Sequence, residues 1–548
     1  MKKGEIYEGV VERVDFPNKG YVQIEDRRVA VKGVIAGQRV KVRMKRLRRE
    51  NAQATLIEVV EPSPLEDATP VCPHFGNCGG CSAQTMSYTN QLRVKSGIVE
   101  DLLRPFLNKN GVCMEEPVAS PLEWGYRNKM EFSFGDEVKG GELALGMHRK
   151  NSTYDVVNTP QCQIVHSDMT AILSKTLVFF QQQKNSFYRK MQHTGCLRHL
   201  VVRRSFATGE LLVNLVVTTQ EEVDTQGYVK SLLELEESHE LQGQFAGILL
   251  TKNDSLSDTV QSDETIVLYG RDFIQEQILG LQFKISPFSF FQTNSKGAEV
   301  LYEKVRQYVG ETKNKVIFDL YSGTGTIAQI LAPVAKKVIG VEIVAEAVEA
   351  AKVNAEGNGL TNCEFIAGDV LKVIDEIEET PDMIVVDPPR DGLHPVALQK
   401  IMNYGVDQLV YISCKPTSLA RDLALFEAGG YEVERAGCVD MFPQTGHVET
   451  VVLLSHQKST EYIYVDYEPE NADYLKGIAG SATYREIIEW SQNKYGVKVR
   501  SSEIAQVKDM CGMEKRENYN LGAEVHRVHK VTAERAKLIK EAFKHFRM

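Results

Sequence analysis

Between Lys315 and Leu454 short apolar runs alternate with helical stretches, and most of the runs end on an acid or a thiol. Val316-Ile317-Phe318 reaches Asp319-Leu320-Tyr321-Ser322-Gly323-Thr324-Gly325-Thr326, and a helix follows over Ile327 to Ala332. Val338-Ile339-Gly340-Val341 ends at Glu342, Phe365-Ile366-Ala367-Gly368 at Asp369, and Met383-Ile384-Val385-Val386 at Asp387-Pro388-Pro389-Arg390. The run Leu409 to Ile412 stops at Ser413-Cys414, and Pro416 can then open a helix. Apolar runs of this length, separated by helices, are strands of a parallel sheet buried on both faces. Such a sheet collects its ligands at the carboxyl ends of its strands. The region therefore reads as a Rossmann-like α/β domain, with Val448 to Leu454 as an edge-inserted final strand.

Gly323 and Gly325 allow a tight strand-to-helix turn and close approach of a ligand to the backbone. Glu342, about twenty residues on, can accept the two hydroxyls of an adenosine ribose. That pair suits NAD or S-adenosylmethionine equally. Asp369 is placed to read an adenine amino group, and Pro388-Pro389 fix a rigid loop over the reactive end of the cofactor, its polar groups aimed at a planar base. Cys414, taken alone, reads more readily as a small buried core residue than as a nucleophile.

At 548 residues the chain calls for roughly three to four domains. No apolar run approaches the roughly 20 residues of a membrane helix, and the start lacks a signal-peptide core, so no membrane is involved and a cytoplasmic location follows. There the ten cysteines stay reduced, available for metal or catalysis rather than disulfides. A net charge of −10 argues against nucleic acid as a partner, but binding depends on patches rather than totals.

Residues 1–65 contain short β-rich runs broken by Gly and Asp turns, an all-β barrel unit. In its fourth run Val40, Val42 and Met44 alternate with Arg39, Lys41, Arg43 and Lys45, and Arg46, Arg48 and Arg49 follow. Seven basic residues in eleven positions favour an RNA-backbone surface over a blunted edge strand. The stretch resembles a TRAM domain, a small RNA-binding barrel.

A mixed α/β region follows over 66–290. It opens with Cys72, Cys78 and Cys81 in C-x5-C-x2-C spacing, with Gly79 and Gly80 to fold the backbone tightly. Cys162 is the best fourth ligand downstream, and four thiolates fit either structural zinc or an iron–sulfur cluster. Tyr126-Arg127-Asn128-Lys129 and Leu197-Arg198-His199, with Arg203-Arg204, suit a groove for unpaired RNA or solvated strand ends equally well. Residues 458–548 read as a basic helical extension. It has a capping box at Thr483-Tyr484-Arg485-Glu486, a turn at Tyr495-Gly496-Val497, a second helix from Ser502 to Gly512 and a third from Thr532.

Five motifs then occur in one order: Phe291-Gln292-Thr293-Asn294, Asp319 to Gly325, Asp387 to Arg390, Ser413 to Pro416, and His447-Val448-Glu449-Thr450-Val451. Together they resemble the RNA uracil-5-methyltransferases, which comprise the 23S rRNA and tRNA (uracil-C5)-methyltransferases, over roughly residues 1 to 455. The resemblance implies a catalytic domain over 291–457, with Gln292, Tyr321, Glu342 and Asp387 binding S-adenosylmethionine, Cys414 as nucleophile and Glu449 as base. It implies a [4Fe-4S] cluster on Cys72, Cys78, Cys81 and Cys162, and a flipped uridine of 23S ribosomal RNA as target. No obligate protein partner is implied. The site should favour the Cys414 thiolate, since a free thiol titrates near 8.5.

Overall fold

In the computed structural model the residues described are 1–47, 52–107, 109, 111–257, 263–457, 484–495, 499, 504, 507 and 539–542. By packing, the chain divides into residues 1–458 and 459–548. Five strands near the N-terminus, β1 (Ile6–Asp15), β2 (Lys19–Ile24), β3 (Arg27–Lys32), β4 (Arg39–Arg46) and β5 (Ala52–Glu61), close into a barrel in the order β1-β2-β3-β5-β4. β3 and β5 run parallel while the other pairs are antiparallel, an OB-like arrangement. Alternation builds it: Val22, Val29, Val31, Val40, Val42 and Met44 all point inward and are buried. The outer face of β4 differs from the expected uniformly basic surface. Arg39 meets Glu8 at 3.7 Å and Glu61 at 3.1 Å, and Lys41 meets Glu58 at 3.2 Å. The neighbouring strands supply these acids, so half of the positive stripe is compensated. Arg48 and Arg49 lie outside the described residues.

The next sheet contains β6 (Lys129–Asp136), β7 (Leu143–His148), β8 (Val156–Asn158), β9 (Leu197–Arg204), β10 (Glu210–Val217), β11 (Gln244–Lys252) and β12 (Glu264–Gly270), in the order β12-β11-β10-β9-β6-β7-β8. Helices α2 (Ser167–Gln183) and α3 (Thr225–Glu237) pack over it through Phe180, Tyr228 and Leu232. Of the basic patches, Arg127 lines the cavity described below, whereas two arginines of β9 are buried on loop carbonyls. Arg198 is 3% exposed and donates to the carbonyls of Asn253 and Ser255; Arg203 is 2% exposed and donates to those of Pro287 and Ser289. These guanidiniums satisfy loop carbonyls inside the protein, as buried polar groups require. A hairpin, β13 (Ile274–Ile278) with β14 (Leu281–Ile285), follows.

The third sheet is ordered β17-β16-β15-β18-β19-β21-β20. Its members are β15 (Val316–Leu320), β16 (Lys337–Glu342), β17 (Cys363–Ala367), β18 (Met383–Val386), β19 (Gln408–Ser413), β20 (Tyr431–Val439) and β21 (Glu449–His456). The first five in that order are parallel, and β21 enters antiparallel between β19 and β20, one strand in from the edge. Successive residues feed opposite cores. Ile317, Val338, Met383, Val410 and Val451 pack on one face with α4 (Ser295–Val309) and α5 (Thr326–Leu331), while Phe318, Ile339, Ile384, Leu409 and Val452 pack on the other. Onto that second face, beside α9 (Pro416–Ala428), comes α1 (Tyr88–Leu107), a helix from far upstream that contributes Val99, Leu103 and Leu107.

Of the tail, α10 (Tyr484–Tyr495) is described. The capping residue Thr483, the turn at Gly496-Val497, Ser502, Gly512 and Thr532 lie outside the described residues.

Candidate active site

The parallel strands deliver their C-terminal residues to one edge of the third sheet. Tyr321 follows β15, Glu342 ends β16, Asp387 follows β18 and Cys414 follows β19. Glu449 reaches the same edge because β21 is reversed: Thr450 pairs with Ser413, so the first residue of β21 lies beside the residue after β19. Gln292 comes from the segment before α4, and its carbonyl accepts Asn128 Nδ2 at 3.0 Å. All six line one cavity of about 1860 Å³. That exceeds the roughly 300–1,000 Å³ of a drug-sized ligand site and leaves room for a nucleoside cofactor together with a second nucleotide.

The glycine turn is built for close approach. Gly323 and Gly325 have φ of 55° and 71°, and a Cβ on Gly325 would stand 2.5 Å from Phe365. Tyr321, not a glycine, also lies in the left-handed region at φ 69°. Glu342 braces the turn by accepting the Gly323 N–H at 3.0 Å, and it accepts the Val344 N–H at 2.9 Å. Asp369 caps the short helix after β17 by accepting the Leu371 N–H at 3.0 Å.

Electrostatically the strand-end site is acidic. Burial lifts the Asp387 carboxyl to about 7, and burial with the nearby Asp387 lifts Glu449 to about 8. Asp319, fully buried in β15, is lifted to about 8 by burial and by Asp387; one of its oxygens accepts the Ala328 N–H at 2.9 Å and the other has no hydrogen-bond partner. The sequence reading gave Asp319 no task, and its spacing within the motif carries no sign of this isolation. Arg390 opposes the acids, lowering both Glu449 and Cys414. Buried carboxylates in such number favour a cationic ligand, and a sulfonium with an amino group is one.

The Cys414 thiol departs from expectation. Burial, then Glu449 and Asp387, push it up to about 11 against the smaller pull of Arg390, so the site without ligand favours the thiol over the thiolate. Glu449 is itself protonated over much of the neutral range, and its repulsion of a thiolate grows only as pH rises.

Cys72, Cys78, Cys81 and Cys162 line the same cavity. Burial pushes Cys81 up to about 12 and Cys162 up to about 11, and the neighbouring cysteines add to both. The Gly80 N–H donates to Cys78 Sγ at 3.4 Å. Among the described residues, however, no three His, Cys, Asp or Glu side chains are grouped so as to hold a metal ion. No described helix is long and apolar enough to cross a membrane.

Residues 87–457 match the tRNA (uracil-5-)-methyltransferase family. An RNA methyltransferase of Caldanaerobacter subterraneus subsp. tengcongensis is 49% identical over 457 residues, 83% of this chain and 99% of the relative. One from Clostridium tetani is 47% identical over 454 residues, 83% of this chain and 98% of the relative. Among solved structures, the Pyrococcus abyssi tRNA (uracil-54, C5)-methyltransferase in complex with S-adenosyl-L-homocysteine superposes with a TM-score of 0.65 at 27% identity, over 82% of this chain and 99% of that one. With this match covering the sheet, its strand-end acids and the Cys414 loop, the chain belongs to the tRNA (uracil-5-)-methyltransferase family and is an S-adenosylmethionine-dependent RNA uracil-C5-methyltransferase.

Proposed function

We propose that the chain methylates C5 of a specific uridine in 23S ribosomal RNA, with Cys414 as nucleophile and Glu449 as base. The observation that carries the assignment of roles is the convergence of Cys414, Glu449 and Asp387 at one sheet edge, in the cavity that also holds the glycine turn. Gln292, Tyr321, Glu342 and Asp387 hold S-adenosylmethionine, which supplies an electrophilic methyl group. Uracil C5 is too electron-poor to take that methyl unaided. A Cys414 thiolate forms a bond to C6, and the π electrons of C5=C6 move toward O4 as an enolate, making C5 nucleophilic. C5 bonds to the methyl carbon as the methyl–sulfur bond breaks, and S-adenosylhomocysteine leaves. The Glu449 carboxylate then takes the C5 proton; C5=C6 re-forms and the C6–sulfur bond breaks, returning the electron pair to Cys414. A uridine in folded RNA must leave its stack for this, and the size of the cavity suits a flipped base.

The protein acts in the cytoplasm, where its RNA is. Its barrel is a TRAM-like RNA-binding module, and the four cysteines beside the site carry a [4Fe-4S] cluster. In favour of a cluster is a set of four thiols on one cavity, of which Cys78, Cys81 and Cys162 are raised by burial and by neighbouring cysteines, a strain that a bound cation would relieve. Methyl transfer needs no electrons, so the cluster serves structure or RNA binding.

A second reading, the same chemistry on tRNA, is supported by the Pyrococcus abyssi tRNA enzyme, which aligns over 82% of this chain. Mass spectrometry of both RNA classes from a deletion strain separates the two: loss of 5-methyluridine from 23S rRNA is the expected result, and loss confined to tRNA overturns the ribosomal assignment.

A further inference from the structure

The loop that leads into Glu449 is held from outside the catalytic sheet, one carbonyl at a time. The Met441 carbonyl accepts Asn294 Nδ2 at 3.0 Å, the Phe442 carbonyl accepts the Lys95 ammonium at 3.0 Å, and the Pro443 carbonyl accepts the Tyr126 hydroxyl at 2.9 Å. The Gln444 carbonyl accepts two donors, the backbone N–H groups of Ser82 and Ala83 at 2.9 and 3.1 Å. Those two residues directly follow Cys81.

Gln444 is 2% exposed and sits at φ 69°, in the left-handed region where a residue with a Cβ is strained. Gln91 of α1 holds it there from two sides. The Gln444 N–H donates to Gln91 Oε1 at 2.8 Å, and Gln91 Nε2 donates to Gln444 Oε1 at 2.9 Å. Lys95, one turn along α1, lies 2.8 Å from Asp440 Oδ1, and that oxygen also accepts the Phe442 N–H at 3.0 Å. Phe442, Thr445 and His447 line the cavity, whereas Gln444 stands behind it. A strained backbone persists only where its surroundings over-determine it, and here the surroundings are α1 and the segment after the cysteines.

We propose that Gln444 is a positioning residue that couples the segment Cys72–Ala83 to the placement of Glu449, so that order in the cysteine segment governs proton removal from C5 and leaves methyl-donor binding alone. The coupling rests on the reading of Glu449 as the base. It gives the cysteine segment a task in the reaction that requires no electron transfer. It also explains why α1, remote in sequence, is packed onto the catalytic sheet.

The test compares wild type with Gln91→Ala, Gln91→Glu, Cys81→Ala and Glu449→Gln, using 23S rRNA and total tRNA from a deletion strain. Turnover, denaturation-resistant RNA adduct and equilibrium binding of S-adenosylmethionine are measured for each. Gln91→Ala removes both hydrogen bonds that Gln91 makes to Gln444 and leaves those from Ser82 and Ala83. A misplacement of about 1 Å costs on the order of 10²-fold in rate, so turnover falls at least about tenfold, adduct accumulates, and donor affinity stays within about twofold. Gln91→Glu keeps the acceptor for the Gln444 N–H and recovers part of the turnover, which also covers the case that the alanine variant folds poorly. Cys81→Ala shifts the adduct fraction in the same direction as Gln91→Ala. Wild-type turnover in Gln91→Ala, or lost turnover without adduct, overturns the positioning role. An unchanged adduct fraction in Cys81→Ala overturns the coupling to the cysteine segment. Absence of adduct in Glu449→Gln strikes the assignment of the base itself, independently of what Gln91 does.

Discussion

One cavity holds two kinds of thiol site. At the strand ends Cys414 stands among carboxylates that themselves titrate near neutrality, with Arg390 as the opposing charge. Elsewhere along the same wall Cys78, Cys81 and Cys162 are raised by burial and by other thiols. Burial acts on both, yet the counter-charge each demands differs. Cys414 can be eased toward thiolate by changes that remain reversible within a catalytic cycle, such as a cationic ligand settling among the acids. Cys78, Cys81 and Cys162 have no such acid or base among the causes of their shifts, and a bound cation is what would relieve them. The two thiol sites are thus told apart by what surrounds the sulfur, even where the direction of the shift is shared.

The comparison breaks most sharply on removal of the first thiol. Cys414→Ala should reduce turnover and covalent RNA adduct to background, while leaving thermal stability close to wild type; an adduct surviving in this variant would move the nucleophile elsewhere. Next in size, Glu449→Gln should lower turnover by on the order of 10²–10⁴-fold while adduct persists on a denaturing gel. Normal turnover in that variant would remove Glu449 from the reaction.

Dependence on pH sharpens the contrast. In the proposed mechanism Cys414 and Glu449 must both lose a proton to act, and their values of about 11 and about 8 lie above the ordinary ones. Activity should therefore rise with pH through 6 to 9 without a plateau, read as kcat/KM on RNA. Stability runs the other way. Asp387 and Glu449 hold their protons in the folded chain where the unfolded chain, with carboxyls near 4, has released them. The folded state binds more protons between about pH 4 and 8, so stability falls as pH rises across that window. The slope is on the order of 1 kcal/mol per pH unit for each group, and Glu449→Gln should flatten it in thermal unfolding at pH 5 to 8. The smallest expected effect is on donor binding at the other thiols: Cys78→Ala should lower stability or RNA affinity and leave S-adenosylmethionine affinity within about twofold by calorimetry.

Much of the third sheet was legible in the sequence, since strands buried on both faces announce themselves as apolar runs and the residues after them have few other places to go. Glu449 could be placed near Cys414 only through the family resemblance, because nothing local marks β21 as reversed. The outer face of β4 misled for the opposite reason: its alternation is local, but Glu8, Glu58 and Glu61 arrive from other strands. Arg198 and Arg203 repeat the lesson, being basic residues whose partners are carbonyls some 50 to 90 positions away. Asp369, expected to read an adenine, also caps a helix with one carboxylate oxygen, a use that Asp in front of a short helix commonly serves.

The reversal of β21 has a consequence for how this region tolerates change. In a strand, side chains alternate between faces, so a shift of one residue exchanges the two sets. Thr450 is fully buried opposite Ser413, and Glu449 is 4% exposed at the cavity wall. Deleting or adding a single residue between Met441 and Val448 would either tear the held carbonyls from their donors or slide β21 and carry Val448 or Thr450 into the place of the carboxylate. Substitutions along this loop can be absorbed one contact at a time, but its length cannot change, and insertions or deletions there should be far scarcer among functional variants than replacements.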